Sequence, residues 1–382
     1  MTNQKVRVLV LEDYDYNRPS ANGVKNVIHD FCKYGKEDHD FSIAGFGDKK
    51  DLGTWGLHED HETRFRYFVL ATRSGNARRR NLVPDSLRLA LGVLRFRKQL
   101  KAVGADFIHV HRVELGFLSN VVFRSSKTVQ MIHNASRGLA GANSESVWRF
   151  FGAAYSVLEK FTVAKSFSVG VFSRDESLRL SLLARKVLRC QTWFNPSTFS
   201  PDHRLDISRP FTVAWVGRFE KQKNPILALE TMATLQKQGL ECQLKIAGSG
   251  SLEMRMREYV QTRGIKNISF EGNLSKARLA DLYRNSSALL MTSEFEGSPT
   301  VLVEALACGL PAVATPESDP DDLIVDGLNG FKVLSGELAE RLSWVLERRV
   351  IAGSPVAATV IHRRASMLCL QTLQKLHQDL TC

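Results

Sequence analysis

Short runs of β-branched and aliphatic residues alternate with helix-patterned stretches along this chain, and the whole alternation occurs twice. In the first series "VRVLVL" (6–11), "FSIAGF" (41–46), "DFIHVH" (106–111), "TVQMIH" (128–133) and "FSVGVFS" (167–173) read as strands buried on both faces. Between them Val24, Val27, Ile28 and Phe31 keep helical spacing, as do Leu87, Leu91 and Leu94. This is the βαβ rhythm of a doubly wound α/β sheet. The pattern breaks over 195–210, "NPSTFSPDHRLDISRP", which reads as a linker. A second series follows, with strands at 211–217, 242–248, 268–272, 288–293 and 311–315 and helices near 224–238, 251–262, 275–285 and 299–308. The expectation is two Rossmann-like domains, 1–200 and 201–360, with a closing helical segment, 361–382, packing back on the first. Such sheets bind ligands outside the carboxyl ends of their strands, so a cleft between the halves is the expected site.

Composition narrows the class. With 382 residues, 43% hydrophobic and 24% charged, the chain suits two soluble domains. "MTNQKVRVLVLED" has too short an apolar run for a signal peptide, and no stretch reaches the length of a membrane helix, so a cytoplasmic location is expected. Cys32, Cys190, Cys242, Cys308, Cys369 and Cys382 are scattered singly, which argues against both a disulfide framework and a zinc site.

The net charge of +12 is concentrated: residues 61–130 hold 14 Lys or Arg against 4 Asp or Glu. Within 78–101, Arg78–Arg80 precede a helical stretch with Arg88, Arg95, Arg97, Lys98 and Lys101 beside the apolar Leu87, Leu91 and Leu94. Two readings stay open here: peripheral attachment to an anionic membrane surface, or a core-facing helix with a solvated basic rim. Nucleic acid is disfavoured, since aromatic interleaving and any recognisable module are absent from the sequence.

The stretch "EFEGSPTVLVEALACGLP" (294–311) holds the chemistry. Ser298 and Pro299 read as N-cap and first helical residue, and Gly309 with Pro311 as the stop, giving a helix over about 299–308. Its N-terminal N–H groups and dipole suit a phosphate, with Gly297 and Ser298 letting the ligand approach the backbone. Glu304 stands among aliphatics one turn in, where an unpaired charge is costly. It either accepts hydrogen bonds from a ribose diol or pairs with a structural base. Glu296, at the strand end, is placed to grip hydroxyls of a second sugar. In "AWVGRFEKQKNP", Arg218 and Lys223 could neutralise a diphosphate, or be solvated loop cations, with Lys221 beside them.

Together, "VGRFEKQKNPILALETM", "LKIAGSGSLEMRM", "ISFEGNLSKARLADLYRNSSALLMTSEFEGSPTVLVEALACGLPAVAT" and "DGLNGFKV" resemble, in order, the second domain of retaining glycosyltransferases of family 4, which have the GT-B fold. The Glu296-x7-Glu304 spacing matches that family's signature, strongly over 211–335 and more weakly over 1–200. The resemblance implies that Arg218 and Lys223 hold the diphosphate of a nucleotide sugar. It implies that Glu296 contacts the transferred sugar and that backbone amides of Gly297, Ser298, Pro299, Thr300 and Val301 serve sugar and phosphate. Glu304 would take the ribose. It also implies a metal-independent transfer, without a bound cofactor, to a glycan or lipid-linked acceptor, with a UDP-sugar favoured over GDP-mannose.

The first half carries fainter signals. Asn22-Gly23 stands where the family often has a Gly-Gly loop facing phosphate or acceptor, and His133 matches a histidine that often faces the donor sugar. His109 and His111 alternate along one strand, which suggests a metal only if a third ligand joins them; His111 could instead line the acceptor side. Asp13-Tyr14-Asp15 imitates a manganese-binding DxD, but its place after the first strand reads better as a polar loop end. Gly248-Ser249-Gly250 imitates half a dinucleotide fingerprint but has Glu253 at the third glycine position, so a nucleotide-facing loop is expected. Alternative functions are a nucleotide-sugar epimerase and an inactive nucleotide-sugar-binding protein.

Overall fold

Each βαβ series closes into its own sheet. The computed structural model describes residues 4–15, 23–59, 63–72, 85–133, 152–201, 211–348 and 352–379. Asn22 and Arg78–Arg80 lie outside them. The chain divides into one unit of Met1–Cys190 with Cys369–Cys382 and another of Gln191–Leu368, so the division falls just before the Pro-rich linker segment.

The first unit contains β1 (Val6–Asp15), β2 (His39–Gly47), β3 (Trp55–Glu59), β4 (Arg64–Thr72), β5 (Phe107–Val110), β6 (Lys127–Ile132), β7 (Ser168–Val171) and β8 (Val187–Arg189). They are ordered β3-β4-β2-β1-β5-β6-β7-β8 and are parallel except for the edge strand β3, which runs antiparallel to β4. The second unit contains β9 (Phe211–Val216), β10 (Cys242–Ala247), β11 (Ile268–Gly272), β12 (Ala288–Met291), β13 (Ala312–Ala314) and β14 (Gly330–Lys332), ordered β11-β10-β9-β12-β13-β14 and parallel throughout. The central strands are buried on both faces, as their unbroken apolar runs require.

The strand order reverses once in each sheet. In the first unit β1 lies between β2 and β5, and in the second β9 lies between β10 and β12. At such a reversal the connections leave to opposite faces and open a crevice at the carboxyl ends of the two strands. Glu12 and Asp13 end β1 beside Arg112, just past β5, whereas Gly217 and Ser293 follow β9 and β12. Topology therefore marks the ground where the sequence places its candidate residues.

The helix Asp85–Arg95 buries Leu89, Gly92 and Val93. Leu87, Leu91 and Leu94 instead face outward, 50%, 55% and 42% exposed, which removes the core-facing reading for these leucines. Among the described residues, no helix is long and apolar enough to cross a membrane.

The last helix, Ala365–His377, begins in the second unit and ends in the first. Its end is fixed by imidazoles. The ring of His377 stacks on Phe107 at 4.0 Å, its Nδ1 lies 3.1 Å from His39 Nε2, and its Nε2 lies 2.7 Å from His109 Nε2. Because His39 Nδ1 must donate to the Gly35 carbonyl, 3.2 Å away, the tautomers follow in sequence. His39 Nε2 is bare and accepts from His377 Nδ1–H, and His377 Nε2 is bare and accepts from His109 Nε2–H. Burial lowers the pKa of all three. His109 thus belongs to a chain of neutral imidazoles. Among the described residues, no group of three or more His, Cys, Asp or Glu is arranged to hold a metal ion.

Candidate active site

In the second unit the loop Ser293–Ser298, leaving β12, is held along its length. Ser293 N–H donates to Ser318 Oγ at 3.0 Å, and Thr315 Oγ1 donates to the Ser293 carbonyl at 3.0 Å. Gln222 takes Glu294 N–H on its carbonyl at 2.8 Å and gives its side-chain amide to the Phe295 carbonyl at 3.0 Å. Ser293 Oγ donates to Glu296 Oε1 at 2.7 Å. The sequence reading named none of Gln222, Ser293, Thr315 and Ser318, although Ser293 and Thr315, small polar residues just past β12 and β13, were a signal for themselves.

Facing this loop is Gly217–Asn224, which leaves β9. The Thr292 hydroxyl accepts from Trp215 Nε1 at 3.0 Å and is shared between the carbonyls of Lys223 and Asn224, at 3.0 and 2.9 Å. Asn224 takes a left-handed conformation (φ 46°) and caps the helix Pro225–Lys237 by accepting from Leu227 N–H. The loop is thereby pinned to the end of β12, and Lys223 Nζ forms an ion pair with Glu296 Oε1. The two side chains are 17% and 5% exposed. The cation expected on the diphosphate and the acid expected on the sugar are held together, each neutralising a charge that would otherwise be costly this far from water. Arg218 is exposed on the same loop and donates to Gln222 Oε1 at 3.0 Å.

The start of the carboxylate helix differs from expectation. The helix runs Thr300–Ala307, with Pro299 at its N-cap and no side-chain cap. Ser298 does not cap it, because its hydroxyl is bonded to Thr192 Oγ1 at 2.8 Å. Pro299 has no N–H, and Thr300 N–H turns back onto the Ser298 carbonyl at 2.9 Å. The amides left for an anion are those of Gly297, Ser298 and Val301. Glu304 is half-buried one turn further, near Tyr283 and Cys308. Burial, reinforced by the Glu304 charge, pushes the Tyr283 hydroxyl well up. The same cause pushes the Cys308 thiol to about 12, with Arg284 opposing.

The glycines of "AGSGS" have a structural reason. A Cβ on Gly248, whose φ is +136°, would meet the Gly217 carbonyl oxygen at 1.9 Å, and one on Gly250 would meet the Phe219 backbone at 2.6 Å. They let the Arg218 loop lie flat against this turn, where Phe219 N–H reaches the Ser249 carbonyl at 2.9 Å. Glu220 fastens the contact by accepting from Ser251 N–H and Oγ–H at 2.9 and 2.8 Å.

In the first unit His133 follows directly after β6. Its Nε2 lies 2.7 Å from His111 Nδ1, and its ring stacks on His111 and Phe172 at 5.0 Å each. Burial pulls its pKa down to about 4, so it is a neutral hydrogen-bonding group near pH 7. Asp13, the first acid of the DxD, is bonded to Arg112 Nη2 at 2.7 Å. Beside it, burial and the Asp13 charge raise the pKa of Glu12 well above the carboxylate range. Gly23 opens the helix Gly23–Tyr34.

Residues 202–355 match the family described as glycosyl transferases group 1. Among curated relatives, a Campylobacter jejuni GalNAc-α-(1→4)-GalNAc-α-(1→3)-diNAcBac-PP-undecaprenol α-1,4-N-acetyl-D-galactosaminyltransferase is 32% identical over 169 residues, 42% of this chain and 46% of that protein. The chain thus spans about half the length of the curated relatives it matches. Among solved structures, sucrose-phosphate synthase from Thermosynechococcus elongatus superposes with a TM-score of 0.78 at 19% identity, covering 97% of this chain and 98% of that one. Anabaena HepE in complex with UDP-glucose does so with a TM-score of 0.68 at 14% identity, covering 96% and 98%. These likenesses establish the GT-B fold, and the family match falls within its second Rossmann-like half.

Proposed function

We propose that this protein is a retaining, metal-independent glycosyltransferase that moves a sugar from a UDP-sugar to a glycan or lipid-linked acceptor. The observation that carries the reading is the Lys223–Glu296 pair at the strand-order reversal of the second unit, with Arg218 on the same loop. Arg218 and Lys223 receive the diphosphate and stabilise the charge it gains on leaving. Glu296 exchanges Lys223 for hydroxyls of the transferred sugar. The acceptor hydroxyl oxygen bonds to the anomeric carbon from the leaving-group side. As the anomeric carbon–oxygen bond breaks, its electron pair goes to the departing diphosphate, which takes the acceptor's proton. Glu304 holds the ribose, and His133 offers the donor a neutral imidazole. The Campylobacter relative's undecaprenol-linked acceptor and the UDP-glucose of the HepE complex favour these substrate classes.

A thermal-shift panel of UDP-, GDP-, ADP- and dTDP-sugars in excess EDTA tests this. A UDP-sugar at a hundred times its Kd should add about 3 kcal/mol of stability. Transfer should continue in EDTA, because the two cations supply the charge and Asp13 is already engaged by Arg112. No stabilisation by any donor would remove the reading, and activity restored only by manganese would remove metal independence.

The outward leucines support peripheral membrane attachment as part of the same reading. Leu87, Leu91 and Leu94 are joined on neighbouring helices by exposed Phe117 and Phe161, whose rings lie 5.3 Å apart. Exposed Arg95, Arg97, Lys98 and Lys101 give this surface the charge that anionic headgroups attract. The protein should sediment with vesicles containing phosphatidylglycerol and not with pure phosphatidylcholine. Leu91→Glu should abolish that binding, and unchanged binding would refute the assignment.

A further inference from the structure

The loop Ser293–Ser298 ends on a hydroxyl held from a segment with no part in the site described so far. Thr192, one residue beyond Gln191 where the second unit begins, is 3% exposed, and its Oγ1 lies 2.8 Å from Ser298 Oγ. Its own backbone is fixed in turn. The Thr192 carbonyl accepts from Arg363 Nη1 at 3.4 Å, and the same nitrogen donates to Asp321 Oδ2 at 3.0 Å. That ion pair is buried, with side chains 7% and 2% exposed. Two residues on, Phe194 N–H donates to the Arg363 carbonyl at 3.0 Å and receives Ala365 N–H on its own carbonyl at 2.8 Å. The opening and closing segments of the second unit therefore run side by side beneath the start of the carboxylate helix.

We propose that Thr192 is a positioning residue for the nucleotide-sugar donor: it orients Ser298, and with it the Gly297–Ser298 amides that receive the diphosphate. The proposal rests on the donor-site reading given above. Ser298 makes no helix cap, so its hydroxyl bond does not serve the helix. What the bond does fix is the direction of the backbone just ahead of Pro299, whose ring holds φ at −78°. Lys223 on Glu296 and Thr192 on Ser298 tether both ends of the segment that carries the Gly297 and Ser298 amides.

The test is UDP binding by calorimetry, together with steady-state kinetics, on Thr192→Val, Thr192→Ser, Ser298→Ala and the double variant Thr192→Val/Ser298→Ala. Removing the hydroxyl pair should weaken UDP about five- to tenfold, the range of one hydrogen bond. Because either change breaks the same bond, the double variant should be no weaker than either single one. Thr192→Ser should bind as wild type, and in the two Thr192 variants kcat at saturating donor should stay within about twofold of wild type. Wild-type UDP affinity in either Thr192→Val or Ser298→Ala would overturn the proposal, as would losses that multiply in the double variant. Should Thr192→Val fail to fold, the Ser298→Ala arm decides alone. A wild-type protein that binds no nucleoside diphosphate would remove the donor-site reading and this proposal with it, an outcome distinct from normal wild-type binding that the variants leave unchanged.

Discussion

Between pH 7 and pH 5 the first unit is expected to lose stability while the second unit keeps its own. His109, His111, His133 and His377 all have folded pKa values pulled down chiefly by burial, that of His133 to about 4. Unfolded histidines titrate near 6.5. Above that pH neither state holds the extra protons, and the stability is complete. As the pH falls below 6.5 the unfolded chain binds protons that the folded unit refuses, so stability falls. Each of these groups subtracts from the unit's stability over this range, and the raised pKa of buried Glu12 opposes them in part. The bonding also opposes protonation, since a proton on His39 Nε2 or His377 Nε2 would set two N–H groups against each other. The second unit has no buried histidine among its described residues. Its buried Asp319 has a raised pKa, which favours the folded state as acid is added. Calorimetry across this pH range should therefore show one transition moving steeply down while another holds. A first transition that shifts by less than about 5 °C would show that these imidazoles accept protons in place.

What the sequence revealed follows how locally each feature is encoded. The five strands anticipated in the second unit all form, the central β9, β12 and β13 as apolar runs buried in the sheet. β14, Gly330–Lys332, was missed because, though as long as β13, it lacks the unbroken apolar run that marks "AVA". β3 and β4 were missed for another reason. In "RFRYFVLAT" an alternating start merges into a continuous apolar run, and its partner "WGLHE" is a mostly exposed edge with no buried residue to give it a period. In the site, local signals placed the carboxylate helix to within a residue, and the error lies where tertiary structure intervened. The Ser298 hydroxyl that should cap the helix is claimed by Thr192, 106 positions away in sequence. The imidazole chain was invisible for the same reason, since His377 lies 268 positions from His109. Glu296 and Lys223 could each be named from local spacing, but a pairing across 73 positions could not.

That pairing gives the second large expectation. Glu296→Gln should lower kcat by about 10²- to 10³-fold, the usual consequence of removing a group that acts on the reacting sugar. Affinity for UDP should stay within about threefold of wild type. The two effects separate because of what Lys223 does in each state. The Lys223 ammonium is answered by Glu296, and under the proposed reading the diphosphate takes Lys223 from that partner. Glutamine keeps the shape and the Ser293 hydrogen bond but releases the lysine, so UDP binding loses nothing and gains whatever the separation cost. Lys223→Met should behave in the opposite way. It removes a phosphate contact and leaves the Glu296 carboxylate, 5% exposed, without its counter-charge, so UDP should weaken by at least about tenfold. Paired kinetics and calorimetry decide the matter. If UDP affinity falls in step with kcat in Glu296→Gln, the acid serves the nucleotide rather than the sugar. If kcat stays within about fivefold of wild type, the ion pair is structural and the reacting sugar lies elsewhere.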